Sequence, residues 1–275
     1  ISFSMNSNLT LATQEHMDEL AGLGLPHLLT TLNSHDPYVN DQMASTRGAF
    51  AKIVRGIRFA IRSGIRVSVN MITTQLNKTQ VYNTGVFLAG LGVTNLFTTR
   101  MVPCTSAGPD LERELQLNPD EQKRFVLDEA IRVKADTGIN IGSLIQYPVC
   151  FLQDVVKYRD FVGRGCPAGR KMLCVHANGD TEACFHENCG YGNVFRDGIK
   201  TCWEQARMWR DNRLLPSICQ TCAWLKWCEG GCRVYTNTLD GMDLLAQNNQ
   251  TLPSPSIIEQ DFLPLTDRTT FLSPE

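Results

Sequence analysis

Apolar and polar positions change period repeatedly along the first 145 residues, and each change predicts an element. Ile1–Met5 alternates apolar and polar residues, the two-residue period of a strand. Thr13 stands as an N-cap ahead of a helix whose apolar face is Met17, Leu20 and Ala21, stopped by Gly22 and Gly24. His27–Leu32 reads as a buried strand. Phe50, Ile53, Val54, Ile57 and Ile61 form a helical stripe ended by Gly64, and Ile65, Val67, Val69 and Met71 return to strand alternation. A helix over Thr79–Ala89 and a strand over Val93–Thr99 follow. Asn118-Pro119, an N-cap with proline in the first helical position, opens a helix carrying Phe125, Leu127, Ala130 and Ile131 that ends before Gly138. Ile139–Ile145 is the last apolar strand. This β-α-β-α-β-α-β-α-β order calls for a parallel sheet with right-handed crossovers, as an open doubly wound sheet or most of a barrel.

Composition narrows the function classes. The chain has 275 residues, 43% of them hydrophobic, enough for one large or two modest cores. A net charge of −2 with 20% charged residues offers no electrostatic footprint for nucleic acid or anionic lipid. No run of apolar residues reaches the length of a membrane span. The opening Ile1-Ser-Phe-Ser-Met has neither a basic leader nor a cleavage site, so a cytoplasmic location is expected. No Gly-x-Gly-x-x-Gly follows a strand and there is no P-loop, which removes the usual nucleotide signatures. Gln247–Glu275, with four prolines, reads as a tail or wrapping arm.

The cysteines change the picture most. There are eleven, none in the first 103 residues and nine between Cys166 and Cys232. An odd, clustered set in a chain without a secretion signal points to metal ligands rather than disulfides. Cys219, Cys222, Cys228 and Cys232 form C-x2-C-x5-C-x3-C. Upstream, Asn178-Gly179-Asp180 is a two-residue hairpin signal that would carry Cys184 back beside Cys166. Gly230-Gly231 would let the backbone wrap closely round an inorganic core. Thiolates suit zinc and iron–sulfur clusters alike, but zinc ribbons show two tight knuckles where this chain has one, so the spacing favours clusters.

With these residues in view, the chain resembles a radical S-adenosylmethionine (SAM) enzyme carrying a C-terminal SPASM domain. Six of that domain's seven cysteine positions are matched, by Cys166, Cys184, Cys219, Cys222, Cys228 and Cys232, with Gly179 in its place. Cys-Pro-Ala-Gly-Arg, Gly192-Asn193-Val194 and Gly230-Gly231-Cys232 are family-like phrases. Asn6-Ser7-Asn8-Leu9-Thr10 and Thr31-Leu32-Asn33-Ser34-His35-Asp36-Pro37 resemble strand-end segments of the radical SAM barrel, as do Gly48-Ala49-Phe50 and Leu91-Gly92-Val93. The resemblance covers about residues 1–240. It implies an incomplete (β/α)6 partial barrel over residues 1–150, a small Cys-rich domain with a β-hairpin and short helices over 151–245, and a tail over 246–275. In that alignment Ile1–Met5, His27–Leu32, Ile65–Ile72 and Val93–Thr99 are the third to sixth barrel strands. The family's C-x3-C-x2-C loop is absent from these 275 residues, so the chain reads as part of a longer enzyme whose SAM-cleaving cluster lies outside it.

The resemblance also implies roles. Cys166, Cys184 and Cys232 would hold a first auxiliary [4Fe–4S] cluster with Cys174 or Cys189 as fourth ligand, and Cys219, Cys222 and Cys228 a second. The seventh cysteine is missing, and Asp240 or Asp243 could supply an oxygen, although Asp240-Gly241 also reads as a surface turn. Cys104 and Cys150 fall outside the pattern, Cys104 in the Pro103–Pro109 loop after a strand, where barrel chemistry sits, and Cys202, opening a helical stretch with Trp203 and Ala206, reads as a packing residue. His176 and His186 read as hairpin surface, and Trp203, Trp209, Trp224 and Trp227 as packing that keeps water from the clusters. Asn6, Asn33, Asn70 and Arg100, on strand ends, would contact SAM. Intact, such an enzyme would use SAM and a third [4Fe–4S] cluster to abstract a hydrogen atom from a peptide or protein, with an external donor such as a flavodoxin or ferredoxin. The competing expectations are a non-catalytic iron–sulfur electron-transfer or peptide-binding module, and a zinc-ribbon interaction protein.

Overall fold

A computed structural model describes residues 3–102, 109–163, 165–187, 189–211, 215–236, 243–246 and 252–259. The chain divides into two compact units, one built from Ile1–Met101 and Pro109–Leu144, the other beginning at Ile145. The sequence reading placed Ile145–Cys150 with the first.

The first unit follows the predicted alternation: β1 (Met5–Asn6), α1 (Gln14–Gly22), β2 (His27–Thr31), α2 (Pro37–Met43), α3 (Ala49–Arg62), β3 (Arg66–Thr73), α4 (Val81–Gly90), β4 (Asn95–Arg100) and α5 (Pro109–Leu115). Helix α6 runs from Pro119–Glu121 through a π-helical segment, Gln122–Leu127, into Asp128–Thr137, and β5 (Asn140–Gly142) closes the series. Thr13 caps α1, its hydroxyl accepting the His16 N–H at 3.2 Å. Helix α2 was not expected, because it has no apolar stripe. Its signal was local: Asp36 accepts the Tyr38 N–H at 2.8 Å and Pro37 occupies the first turn. Of the predicted strand Ile1–Met5, residues 1 and 2 lie outside the described residues; β1 begins at Met5, since β2 starts only at His27 and the preceding Pro26 has no N–H for the ladder. β5 stops at Gly142 because the Leu144 N–H is taken by the Thr99 hydroxyl at 3.1 Å.

All five strands are parallel, in the order β1-β2-β3-β4-β5. Strictly sequential order leaves no switch point, where a doubly wound sheet reverses direction, so the winding is that of a barrel. The two faces differ. Leu28, Val67, Val69, Met71 and Leu96 share one face by register and are completely buried. The other carries His27, Ser68, Asn70, Asn95 and Thr99. There His27 Nε2 and Ser68 Oγ are hydrogen-bonded at 2.7 Å, and Asn95 Nδ2 donates to Ser68 at 2.8 Å. Burial, and after it Arg66, hold the His27 imidazole below its usual pKa.

Glu121 completes a capping box with Asn118 and accepts from Lys78 Nζ and, at 2.7 Å, from Gln75 Nε2. The Lys78 hydrogen bond holds its carboxyl below the usual range. A depressed carboxylate adds stability that is present above the unfolded-state pKa and lost as pH falls through the folded one. Glu121→Gln should therefore cost about 1 kcal/mol near neutral pH, and the gap between variant and parent melting temperatures should close in acid. An equal gap at both pH values would contradict this.

The second unit holds α7 (Val149–Leu152), β6 (Cys174–Val175), β7 (Thr181–Glu182), α8 (Val194–Asp197), α9 (Ile199–Gln205), α10 (Ser217–Gln220) and α11 (Leu225–Cys228), with short 3-10 turns between. β6 and β7 pair antiparallel as predicted. Their turn is longer than the two-residue type expected. His176 N–H donates to Asp180 O and Gly179 N–H to His176 O, both at 2.8 Å, so Ala177-Asn178-Gly179 is a three-residue loop with Gly179 left-handed at φ 89°. Asn178 decides this: its Oδ1 accepts the Asp180 N–H at 3.1 Å, spending the residue on a local turn. Ala168, Ala183, Tyr191, Ala206 and Trp209 form a core against which Cys166 and Cys184 pack. No helix among the described residues is long and apolar enough to cross a membrane.

Candidate metal centre

The second unit gathers its thiols into two groups. In the first, the Cys184 thiolate bears on Cys166, and the Cys232 thiolate on Cys184. In the second, Cys219 feels Cys222 and Cys150, and Cys228 feels Cys219 and Cys150. No disulfide joins any of the ten cysteines in the described residues. Burial, above all, pushes every one of these perturbed thiols up: Cys219 to about 11, Cys228 to about 12, and Cys166 and Cys184 in the same direction. Buried thiols crowded by other thiols do not ionise unaided. A bound cation supplies the compensating charge.

Backbone donors already point at two of the sulfurs. The Val149 N–H donates to Cys228 Sγ at 3.4 Å, and the His186 N–H to Cys184 Sγ at 3.5 Å. Glu229, left-handed at φ 52°, accepts the Cys166 N–H on Oε2 at 3.0 Å while Oε1 lies 3.7 Å from Arg170 Nη1. It thereby ties the first cysteine of one group to the turn that follows Cys228. Nothing in the spacing marked Glu229; only an acidic residue between Cys228 and Gly230 was visible.

The remaining sulfurs separate. Cys174 is buried in β6, lies beside Cys184 and is pushed up to about 11 by burial. Cys189 is exposed in the loop before Tyr191. Cys202 is fully buried in α9, in the packing role expected. Cys104 and Asp240 lie outside the described residues. Asp243 is almost wholly buried and turned to the backbone, its Oδ2 accepting the Cys232 N–H at 2.7 Å and its Oδ1 the Leu245 N–H at 3.0 Å. Gly230 and Gly231 are left-handed, at φ 84° and 80°, but what approaches them is protein: a Cβ would stand 2.9 Å from Leu215 Cδ2 at Gly230, and 2.6 Å from Asp243 Oδ2 at Gly231. Cys219 Sγ would also lie 3.9 Å from a Cβ at Gly230. His186 is exposed, and His176 Nε2 lies 3.0 Å from Glu182. Trp209, Trp224 and Trp227 are buried, whereas Trp203 is partly exposed beneath the Arg210 guanidinium.

In the first unit, Asn6 and Arg100 are the last residues of β1 and β4 and Asn33 lies two residues past β2, at carboxyl ends where barrels place their chemistry. Asn70, expected at a strand end, is instead the fifth of the eight residues of β3. The four do not converge as one set. Asn6 and Asn70 share the more open, polar face by register, and Asn70 Oδ1 accepts from Thr99 Oγ1 at 2.5 Å. Asn33 ties strand ends together, its Oδ1 accepting the Ile72 N–H at 3.0 Å and its carbonyl accepting from Asn77 Nδ2 at 2.7 Å. Arg100 is paired with Thr73 and falls on the opposite, fully buried face.

The parallel sheet of sequential strands, followed by a cysteine-rich unit, defines the fold of the radical SAM enzymes. No family profile matches the sequence. Among curated proteins it is 21% identical over 252 residues to the AdoMet-dependent heme synthase of Methanosarcina barkeri, covering 86% of this chain and 71% of that protein. Among solved structures it is similar to Streptococcus suis SuiB bound to S-adenosylmethionine, with TM-score 0.66, 16% identity, 92% of this chain and 60% of that one. It is also similar to anSMEcpe with bound AdoMet, with TM-score 0.65, 14% identity, 99% of this chain and 73% of that one. The chain thus spans about 60% of the length of the SuiB structures it matches.

Proposed function

We propose that this chain is the barrel and auxiliary-cluster portion of a radical SAM enzyme of the SPASM type that modifies a peptide or protein. The observation that carries the reading is the division of the thiols. Cys166 stands near Cys184 and Cys184 near Cys232, while Cys219 stands near Cys222 and Cys228, although Cys232 is contiguous in sequence with the second set. These neighbours support the partition the seven-cysteine pattern implies. The residues also fit the cofactor chemically: soft donors, water-excluding aromatics, and N–H groups aimed at sulfur, which tune cluster potential.

Clusters held there would accept or relay single electrons, drawn from an external flavodoxin or ferredoxin. The chain's own contribution is to hold the thiolates, exclude water and present Asn6 and Asn70 on the open face of the sheet toward SAM. Cys174, beside Cys184, is the better placed fourth ligand of the first group, and exposed Cys189 the lesser one. The peptide substrate is supported by SuiB bound to the precursor peptide SuiA and by anSMEcpe bound to the Kp18Cys peptide. A second reading, a tetrapyrrole substrate, is favoured by the sequence match to a haem synthase.

Anaerobic preparation with iron and sulfide should yield about eight irons per chain, two [4Fe–4S] clusters. Cys166→Ser and Cys219→Ser should each remove about half. A zinc-only protein, or one holding no iron, would overturn the reading. Mass spectra of candidate precursor peptides and of porphyrins, incubated with SAM and an enzyme that joins this chain to a SAM-cleaving C-x3-C-x2-C segment, separate the two substrates.

A further inference from the structure

We propose that Cys150 is the fourth protein ligand of the group formed by Cys219, Cys222 and Cys228, standing in for the absent seventh cysteine of the pattern. The inference rests on the cluster reading above and adds a residue that the spacing excluded, since Cys150 lies 16 residues before Cys166.

The placement is fixed by hydrogen bonds from its own segment. Gln146 Nε2 donates to the carbonyls of Cys228, at 3.0 Å, and of Gly231. The Val149 N–H donates to Cys228 Sγ at 3.4 Å, so Cys150 begins one residue from an amide already in contact with a ligand sulfur. Helix α7 is a single turn, and Val149, Phe151 and Leu152 are all sunk in the core. Cys150 alone in it is half-exposed. The thiols confirm the proximity. Burial raises Cys219 most, and the Cys150 thiolate is the next influence, ahead of Cys222 three residues on from it in the knuckle. Cys228 also feels Cys150. Cys150 therefore stands near both Cys219 and Cys228, and with Cys222 it would complete the four thiolates that a [4Fe–4S] cluster takes. Asp243, the other candidate among the described residues, has both carboxylate oxygens accepting backbone N–H groups.

The test is made on the anaerobically loaded chain. If the wild type binds no iron, the cluster reading itself fails, independently of Cys150. If it binds two clusters, Cys150→Ala should lose up to about half of the iron and sulfide, or keep an oxidation-sensitive cluster with the paramagnetic signature of a three-iron form, as Cys222→Ala should. Cys202→Ala, a buried cysteine away from both groups, should keep all of it. Differential alkylation of the wild type avoids any folding defect: Cys150, Cys219, Cys222 and Cys228 should become reactive together when iron is chelated. Full iron, an unchanged spectrum and a Cys150 whose reactivity does not respond to chelation would overturn the proposal. Full iron in Cys150→Ala with a cluster missing from Asp243→Asn would reassign the ligand to Asp243.

Discussion

Trp209→Ala is expected to destabilise the second unit by about 3–5 kcal/mol, the cost of truncating a buried tryptophan to a cavity. Against the 5–15 kcal/mol by which domains are ordinarily stable, that is a large fraction. Trp209 is 3% exposed and stands in the core with Ala168, Ala183, Tyr191 and Ala206. The three alanines have no reach to fill the space, and Tyr191 is held by its own hydrogen bonds. Gly169 approaches so closely that a Cβ there would lie 2.6 Å from Trp209 Cβ. The indole N–H donates to Tyr191 Oη at 2.8 Å, and that hydroxyl donates to Glu187 Oε1 at 2.7 Å. The buried Arg233 guanidinium sits 5.6 Å from the ring centroid and close to Cys166 and Cys219. Because Cys166 and Cys184 pack on this core, iron in their group should be lost first. Denaturant melts of the metal-free protein, with iron analysis of the loaded one, check both parts. Trp209→Phe should restore most of the packing and forgo one hydrogen bond, about 1 kcal/mol. An alanine variant that melts within 1 kcal/mol of the parent would refute this account of the core.

In the first unit the largest effect is expected from Gly56→Ala, and its sign is opposite to that of Gly90→Ala. Both glycines lie in helices, Gly56 in α3 and Gly90 at the end of α4. Alanine gains up to about 1 kcal/mol over glycine in a helix interior, less toward an end. At Gly90 a Cβ meets nothing within 4 Å, so a small gain should appear as higher stability. At Gly56 it would stand 2.6 Å from Leu9 Cβ and 2.8 Å from the Leu9 carbonyl oxygen. Leu9 cannot retreat cheaply. It is 2% exposed, and its backbone is left-handed at φ 58°, an unfavourable conformation for leucine that its surroundings already enforce. Overpacking of this kind costs about 1–3 kcal/mol, enough to exceed the propensity gain. Thermal melts of the two variants decide it; equal shifts would mean that the loop around Leu9 yields.

The elements that were legible in advance share one property: their signals are local. The stripe Ile53, Val54, Ile57 in α3, the alternation Val67, Val69, Met71 in β3 and the caps at Thr13 and Asn118 all operate within one or two turns or a single strand. Elements with no apolar period, such as α2, escaped. Edge strands came out shorter than their apolar runs because pairing, not hydrophobicity, ends a strand, as at Pro26 and Thr99. The hairpin was located correctly and its loop length missed, since Asn178 spends its side chain on Asp180.

The cysteine spacing by itself was enough to propose a soft-metal module between Cys166 and Cys232, because ligand chemistry favours thiols at short separations along the chain. The β/α alternation likewise determined a parallel sheet. What only the tertiary structure decided concerns residues far apart in sequence. Sequential strand order chose the barrel winding, register put Asn6 and Asn70 on one face and Arg100 on the other, and Glu229 was joined to Cys166 across 63 positions. Cys150 belongs with these. Its nearness to Cys228 depends on Gln146 and Val149 reaching across about 80 residues, and no spacing along the chain encodes a contact that packing and backbone hydrogen bonds make.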